Sequence, residues 1–330
     1  MAAFHTKDIS NSSFLVTGGA GFIGSHIVAY LLQHGAGMVR VLDNLSTGHA
    51  KNIEHFRSHP NFEFLDGDIR NVADCIKACS GMHYVTHQAA LGSVPRSIID
   101  PVNTNEVNVS GFVNIITAAK EAHVRSLVYA SSSSVYGDEA SLPKKEEKVG
   151  YPLSPYAVSK KTNELYASVF HKLYDMNVIG LRYFNVFGPN QDPDGPYAAV
   201  IPLFVNSLLN GWPMYIDGDG QQTRDFTYVD NAVQANIKAL LTDNKAAFGE
   251  VYNVAVGEQF SVNYLFETVQ GLLQSAQQAK YREMRSGDIR NSLADISKAR
   301  TLLDYDPKYR FEDGLKITVD YFKRLRGTAN

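Results

Sequence analysis

Short, strand-like runs alternate with helical patterns along the first 188 residues. The runs at 14–17, 38–42, 62–66, 84–88, 126–131 and 178–183 are brief and bounded by turn formers, and they read as buried strands. Between them, 23–34, 71–79, 104–122 and 154–174 carry apolar residues at helical spacing. This alternation predicts an α/β fold, a doubly wound parallel sheet with helices on both faces, whose ligands bind beyond the carboxyl ends of the strands. From Gly188 the texture changes, because 189–196 (Pro-Asn-Gln-Asp-Pro-Asp-Gly-Pro) is dense in turn formers. Helices are predicted at 200–210, 262–274 and 296–303, and strands around 224–228 and at 251–255. The chain therefore divides into 1–188, with about 225–256 partly returning to it, and a smaller mixed α/β lobe of 189–224 and 257–330.

The first strand runs into Gly18, Gly21 and Gly24, with a helix opening at Phe22-Ile23. A turn this tight needs backbone angles that a side chain resists. Bare glycines also let a pyrophosphate lie against the backbone, where the first N–H groups of the helix point at its charge. The spacing is G-x-x-G-x-x-G, so the glycines alone are also compatible with an ordinary turn. The second strand changes the weighting: it ends in Asp43, 19 residues past Gly24, followed by Asn44. An acid near that distance accepts hydrogen bonds from the adenosine ribose and repels a 2′-phosphate, which predicts NAD as cofactor and not NADP. Arg40 is the one nearby cation, and it precedes the acid on the strand.

Composition narrows the class. The chain has 330 residues, 44% hydrophobic and 20% charged, with a net charge of −3, enough for a large core and without general attraction to nucleic acid or anionic membrane. Its two cysteines, Cys75 and Cys79, make neither a disulfide framework nor a four-ligand zinc site, and they fit a reducing cytoplasm. Residues 1–13 are polar, unlike a signal peptide, and no run approaches the roughly 18 apolar residues of a membrane span. A soluble cytoplasmic protein is expected, with no metal.

The chemistry starts at Ser154-Pro155-Tyr156-Ala157-Val158-Ser159-Lys160. Tyr156 and Lys160 stand at i and i+4, so they share a helix face, a spacing that a surface pair on any long helix also shows. A free tyrosine has a pKa of about 10 and is a poor base at neutral pH. A nearby ammonium and a cationic nicotinamide both favour the phenolate, and together they have about 4 kcal/mol to supply. The strand at 126–131 exits into Ser131-Ser132-Ser133-Ser134-Val135-Tyr136-Gly137. A serine there can donate to the oxygen that Tyr156 deprotonates, and the residues themselves leave open which one does so.

Residues 17–24, the serine run, Tyr156-x-x-x-Lys160 and Arg182-Tyr183-Phe184-Asn185-Val186-Phe187-Gly188-Pro189 together resemble the extended short-chain dehydrogenase/reductases. Within that family the chain is most similar to the UDP-hexose 4-epimerases, in particular those acting on UDP-N-acetylglucosamine. The resemblance covers nearly the whole chain and implies a Rossmann-type domain with a smaller UDP-sugar lobe. It also implies a homodimer through a four-helix bundle built from 104–122 and 154–174. By resemblance, Ser132 is the catalytic hydroxyl, Tyr156 the base and Lys160 its lysine. Asp68-Ile69 matches an adenine-binding pair, Gln88-Ala89-Ala90 the segment along the cofactor, Asn108 an asparagine steadying the lysine region, and Tyr183 a further cofactor contact. Asn185, Arg224, Arg285 and Asp288 match residues holding the diphosphate and ribose, and paired arginines are a natural diphosphate clamp. Ser93, Ser133, Val200, Tyr215 and Ser292 complete the implied substrate set. The implied reaction is transient oxidation at C4, rotation of the 4-keto sugar about its diphosphate link, and re-reduction from the other face.

Relatives that share the first step differ after the catalytic serine. Dehydratases need an acid pair there and UDP-glucuronate decarboxylases a glutamate, whereas this chain has Ser133, Ser134 and Val135. Epimerisation is expected. Epimerases confined to plain hexoses carry a tyrosine where this chain has Ser292, and the smaller side chain leaves room for an acetamido group. The segment 90–97 also resembles the N-acetylhexosamine enzymes. An N-acetylated uronic acid, with Arg96 as its carboxylate partner, and UDP-glucose are the alternative substrates, and a non-catalytic NAD-binding sensor is the remaining alternative.

Overall fold

The computed structural model describes residues 3–193, 199–283 and 289–327. The strands are β1 (Ser13–Thr17), β2 (Met38–Asp43), β3 (Phe62–Asp66), β4 (Tyr84–His87), β5 (Ser126–Ser132), β6 (Val178–Tyr183), β7 (Val186–Phe187), β8 (Met214–Asp217), β9 (Thr223–Arg224), β10 (Thr227–Tyr228), β11 (Val251–Val254), β12 (Phe260–Ser261) and β13 (Ala279–Arg282). The helices are α1 (Phe22–Gln33), α2 (Val72–Cys79), α3 (Val94–Ile99), α4 (Pro101–Asn105), α5 (Gly111–Glu121), α6 (Pro155–Tyr174), α7 (Val200–Asn210), α8 (Val229–Leu241), α9 (Val262–Leu273), α10 (Ser297–Leu303) and α11 (Phe311–Gly327).

Seven strands form one parallel sheet in the order β11-β6-β5-β4-β1-β2-β3. The expected α/β architecture is the one found. Chain order reverses between β1 and β4, so the loops leaving these strands part and open a crevice at their carboxyl ends. The strand register (Thr17 opposite His87, Ser132 opposite Tyr183) brings Gly18, Gln88, Ser132 and Tyr183 out at that one edge. Both faces of the sheet are covered. One packs on α1 and α8 through residues such as Ile27, Leu31, Val233 and Ile237, the other on α2, α5 and α6 through Cys75, Phe112, Ile116 and Ala167. A third apolar cluster joins α7, α9 and α11, with Phe204, Leu265, Phe266 and Phe311 at its centre.

Several elements depart from the pattern reading, and four of these departures have a clear physical reason. The helix expected at 104–122 is instead α4, a π-helical stretch over Glu106–Ser110, and then α5. It starts early because Pro101 occupies a first-turn position and Asp100 caps it, accepting from the Asn103 N–H at 3.2 Å. The single strand expected around 224–228 is two short ones, β9 and β10, split where Asp225 turns its buried carboxylate onto the N–H groups of Val256, Gly257 and Ala294 at 3.1–3.2 Å. Helix α8 has no counterpart in the pattern reading. It is buried on nearly every side, and Asn231, Gln234 and Asn236 are inside it, so the apolar periodicity is masked. Helix α11 also has none, although Phe311, Leu315, Val319 and Phe322 recur on one buried face. Among the described residues, no helix is long and apolar enough to cross a membrane.

Candidate active site

A cavity of about 610 Å³ fills the crevice at the strand ends. Its floor is the glycine turn. Gly18 has φ +68°, and a Cβ there would stand 2.6 Å from the Ala89 nitrogen, while one on Gly24 would stand 2.2 Å from the Gly18 oxygen. Gly21 precedes α1 and has no side chain to cap it, and the first turn holds no acid. The leading N–H groups of α1 are therefore open to an anion from the cavity. At one end, Asp43 closes β2 and is buried, accepting from the Ala20 and Leu45 N–H groups at 2.9 and 2.8 Å. Burial raises its pKa, against the pull of those two N–H groups. Asn44 donates to Asp68 at 2.9 Å, and hydrogen bonds from Arg70 hold the Asp68 carboxyl down at about 2. Arg40 points elsewhere: it pairs with Glu63 at 2.8 Å and caps the carbonyls of Ala78 and Ser80. A glycine cradle, an open helix start and an acid with, among the described residues, no free cation beside it fit a dinucleotide without a 2′-phosphate.

At the other end, α6 begins at Pro155 under a Ser154 cap that accepts from the Ala157 N–H at 3.1 Å. One turn separates Tyr156 and Lys160, both on the cavity wall, with Lys160 Nζ 5.9 Å from the tyrosine ring centre. Lys160 donates to the Ala130 carbonyl at 2.8 Å, and burial brings its pKa down to about 8. Here the electrostatics differ from the sequence expectation. Burial raises the Tyr156 phenol, and the opposing influence comes from the Ser132 hydroxyl, not from the lysine. The ammonium is turned toward a backbone carbonyl, so the protein's own groups leave the phenol protonated.

The serine run separates by partner. Ser131 donates to Glu164 Oε1 at 2.8 Å and Ser134 Oγ is buried away from the cavity lining, whereas Ser132 abuts the Tyr156 phenol and accepts the Ser134 N–H at 3.1 Å. Ser133 lines the cavity beside it. A second phenol, Tyr183, also faces the cavity, but its hydroxyl donates to Gln88 Oε1 at 3.1 Å and accepts from Asn236 Nδ2 at 2.7 Å. Both bonding directions are used, and burial pushes its pKa up to about 12. Of these two phenols, Tyr156 is the one whose hydroxyl is available to a substrate oxygen.

The cavity lining also includes Phe22, Ile23, Ile69, Ala89, Ala90 and Asn185 from the sequence set. Asn185 has φ +35°, unusual for a residue with a side chain, and is shared with a smaller cavity of about 130 Å³ that Val200, Tyr215 and Arg224 line. Three predicted residues line neither cavity. Ser93 caps α3, accepting from the Arg96 N–H at 3.2 Å. Asn108 is buried a layer behind, bound to the Leu91 backbone and donating to Ser159 at 3.1 Å. Ser292 is tied by its N–H to the Thr223 carbonyl at 3.1 Å. Arg285 and Asp288 lie outside the described residues. The sequence reading missed Arg70, Asn103 and the 46–48 loop on the large cavity, and Gln222 on the small one. Gly48 carried a usable signal, since a Cβ there would stand 3.1 Å from the Asp43 carboxylate.

Residues 14–255 match the NAD dependent epimerase/dehydratase family. The chain belongs to that family. As a member it is an NAD-dependent enzyme, and NAD is its cofactor. The putative UDP-glucose 4-epimerase of Methanocaldococcus jannaschii is 38% identical over 316 residues, 95% of this chain and 99% of that one. The solved UDP-N-acetylglucosamine 4-epimerase of Methanobrevibacter ruminantium, in complex with UDP-N-acetylmuramic acid, superposes with a TM-score of 0.89 at 40% identity, covering 95% of this chain and 98% of that one. The UDP-glucuronic acid 4-epimerase of Bacillus cereus, in complex with UDP-glucuronic acid and NAD, gives 0.88 at 34%, covering 95% and 99%. The family spans epimerases and dehydratases, so the residues around Tyr156 must decide between them.

Proposed function

We propose that the chain interconverts the 4-epimers of a UDP-sugar, with UDP-N-acetylglucosamine and UDP-N-acetylgalactosamine as the preferred pair. One observation carries the choice of epimerisation. The described carboxylates lining the large cavity are Asp43 and Asp68, both at the β2–β3 end, so none stands beside Tyr156 and Ser132 to drive loss of water. Bound NAD supplies the hydride acceptor for the sugar C4 and the later donor. Gly18, Gly21, Gly24 and the start of α1 hold its pyrophosphate, Asp43 its adenosine ribose, and Asp68 and Ile69 its adenine. Tyr156 takes the proton from the sugar 4-hydroxyl and returns it, Ser132 donates to the same oxygen, and Lys160 keeps positive charge behind the phenol. Beside an oxidised nicotinamide the buried Tyr156 phenol would find the positive charge that favours its phenolate.

Asn185, Val200, Tyr215 and Arg224, with Arg285 and Asp288, hold the nucleotide, so the sugar is free to turn. In this reading 1–188 with 225–256 is the NAD domain, and 189–224 with 257–330 is the UDP-sugar lobe. The small side chain of Ser292 and the likeness to the Methanobrevibacter ruminantium UDP-N-acetylglucosamine enzyme support the N-acetylated pair. The chain further forms a homodimer through a four-helix bundle. Ile98, Ile99 and Val102 on one side and Leu165, Val169 and Leu173 on α6 leave an unusually apolar exposed surface. Two free, buried cysteines are in keeping with the cytoplasm. The test is incubation with UDP-N-acetylglucosamine, UDP-glucose and UDP-N-acetylglucosaminuronic acid in parallel, with proton NMR of the products. A 4-keto-6-deoxy product, or no turnover of any of the three, defeats the proposal.

A further inference from the structure

Asn253 on β11 and Tyr136 line neither cavity, and both are buried, at 0% and 1% exposed. The Tyr136 hydroxyl donates to Asn253 Oδ1 at 2.6 Å. Asn253 Nδ2 donates to the Lys144 and Asp295 carbonyls at 2.9 and 3.0 Å, and its backbone N–H donates to Glu146 at 2.8 Å. Both ends of the amide are engaged, so it cannot swivel without stranding a buried polar group. Tyr136 in turn closes the tight turn Ser133–Tyr136, which follows Ser132 directly. Within that turn the Ser134 N–H is held on Ser132 Oγ at 3.1 Å. A hydroxyl that accepts on that side keeps its own hydrogen for another partner, and Ser132 stands on the cavity wall against the Tyr156 phenol. Upstream, the ladder with β6 fixes the backbone of Ser131 and Ser132. Downstream, the Tyr136 hydroxyl ties the turn to β11.

We infer that Asn253 is a positioning residue for the catalytic serine: acting through Tyr136 and the turn Ser133–Tyr136, it sets the direction in which Ser132 presents its hydroxyl. The inference rests on the 4-epimerase reading and adds to it a residue outside both cavities. Its effect on turnover should therefore exist only while Ser132 has a hydroxyl to orient.

The test is a double-mutant cycle on the NAD-loaded enzyme, with Asn253→Leu, Ser132→Ala and the two combined. The substrate is whichever of UDP-N-acetylglucosamine and UDP-glucose the wild type converts. Asn253→Leu should lower kcat about tenfold, the size of one misdirected buried hydrogen bond, and leave KM and NAD content within about twofold. In the Ser132→Ala background the same substitution should change kcat by less than about twofold, while the melting temperature falls alike in both. A tenfold loss in both backgrounds, or none in either, overturns the inference and leaves the epimerase reading standing. A wild type that converts neither sugar brings down both together. Should Asn253→Leu not fold, Tyr136→Phe enters the same cycle with the same expectation. It removes the same bond and keeps the ring that packs on the Arg182 guanidinium, 4.9 Å away.

Discussion

Arg182 grips both oxygens of Glu164 inside the protein, Nε to Oε1 at 2.8 Å and Nη2 to Oε2 at 2.9 Å, with the two side chains 1% and 4% exposed. The pair bolts α6 to β6, and Ser131 adds β5 through the same carboxylate. Tyr156 and Lys160 ride on that helix, two turns and one turn before Glu164, so the ion pair orients the side chains on the cavity wall. Removing one partner strands a buried charge. Glu164→Leu should cost about 3–5 kcal/mol in urea unfolding, and the double variant with Arg182→Met should cost less than that single one. Burial pushes the Glu164 carboxyl up, but the Arg182 hydrogen bonds and charge outweigh it and leave the folded pKa below the ordinary 4.5. Its stabilisation is therefore complete above pH 4.5 and is lost as the pH falls through the folded value, a loss that Glu164→Leu should not show.

The separation of the serines makes a sharp kinetic contrast. Ser132→Ala and Tyr156→Phe should each lower kcat by about a hundred- to ten-thousand-fold while NAD content stays at the wild-type level. Ser131→Ala, which loses only the bond to Glu164, should lower the melting temperature and leave kcat within a few-fold. Reversal of that order in steady-state assays would show that the wrong hydroxyl had been chosen.

Lys160 has an opposing pair of effects. Burial lowers its pKa to about 8 from 10.5, so folding is penalised below pH 8 and the penalty is relieved as pH rises from 8 toward 10.5. Relative to Lys160→Met, wild-type stability should rise by on the order of 2 kcal/mol between pH 8 and pH 10 in denaturant titrations. The variant should at the same time lose activity. A stability difference that does not change with pH would mean that the lysine is not held at a lowered pKa.

Substrate size tests the position of Ser292. Ser292→Tyr should lower the ratio of N-acetylhexosamine to plain-hexose turnover by about tenfold or more, since a bulky ring would occupy space needed by the acetamido group. An unchanged ratio removes Ser292 from the specificity argument.

The exposed apolar face tests assembly. Leu165→Glu with Val169→Glu, both exposed on α6, should convert a dimer to a monomer in light scattering without lowering NAD content. A wild-type monomer in the same experiment would defeat the homodimer proposal.

Much of the site was legible before any coordinates. Gly18, Gly21, Gly24 and Asp43 announce themselves because tight turns and strand ends demand particular residue types at fixed local spacing. Tyr156 and Lys160 are legible for the same reason, since i and i+4 on a helix share a face whatever the rest of the chain does. Asn236 and Asn253 carried no such mark. Asn236 matters only because α8, invisible to periodicity through its buried polar residues, is laid against β4 and β6 and completes the bonding of Tyr183. Asn253 is set apart by what its side chain joins, since Tyr136, Lys144 and Asp295 meet around it only once the chain has folded.

Local pattern alone determined the strand–helix alternation, the glycine turn with the acid that ends the second strand, and the tyrosine–lysine face, because each depends on residues a few positions apart. Tertiary structure decided which serine meets the phenol, which of two cavity tyrosines has its hydroxyl tied to Gln88 and Asn236, and that burial lifts the phenol's pKa instead of lowering it. Those outcomes turn on long-range partners and on exclusion of water, and neither is written into the order of neighbouring residues.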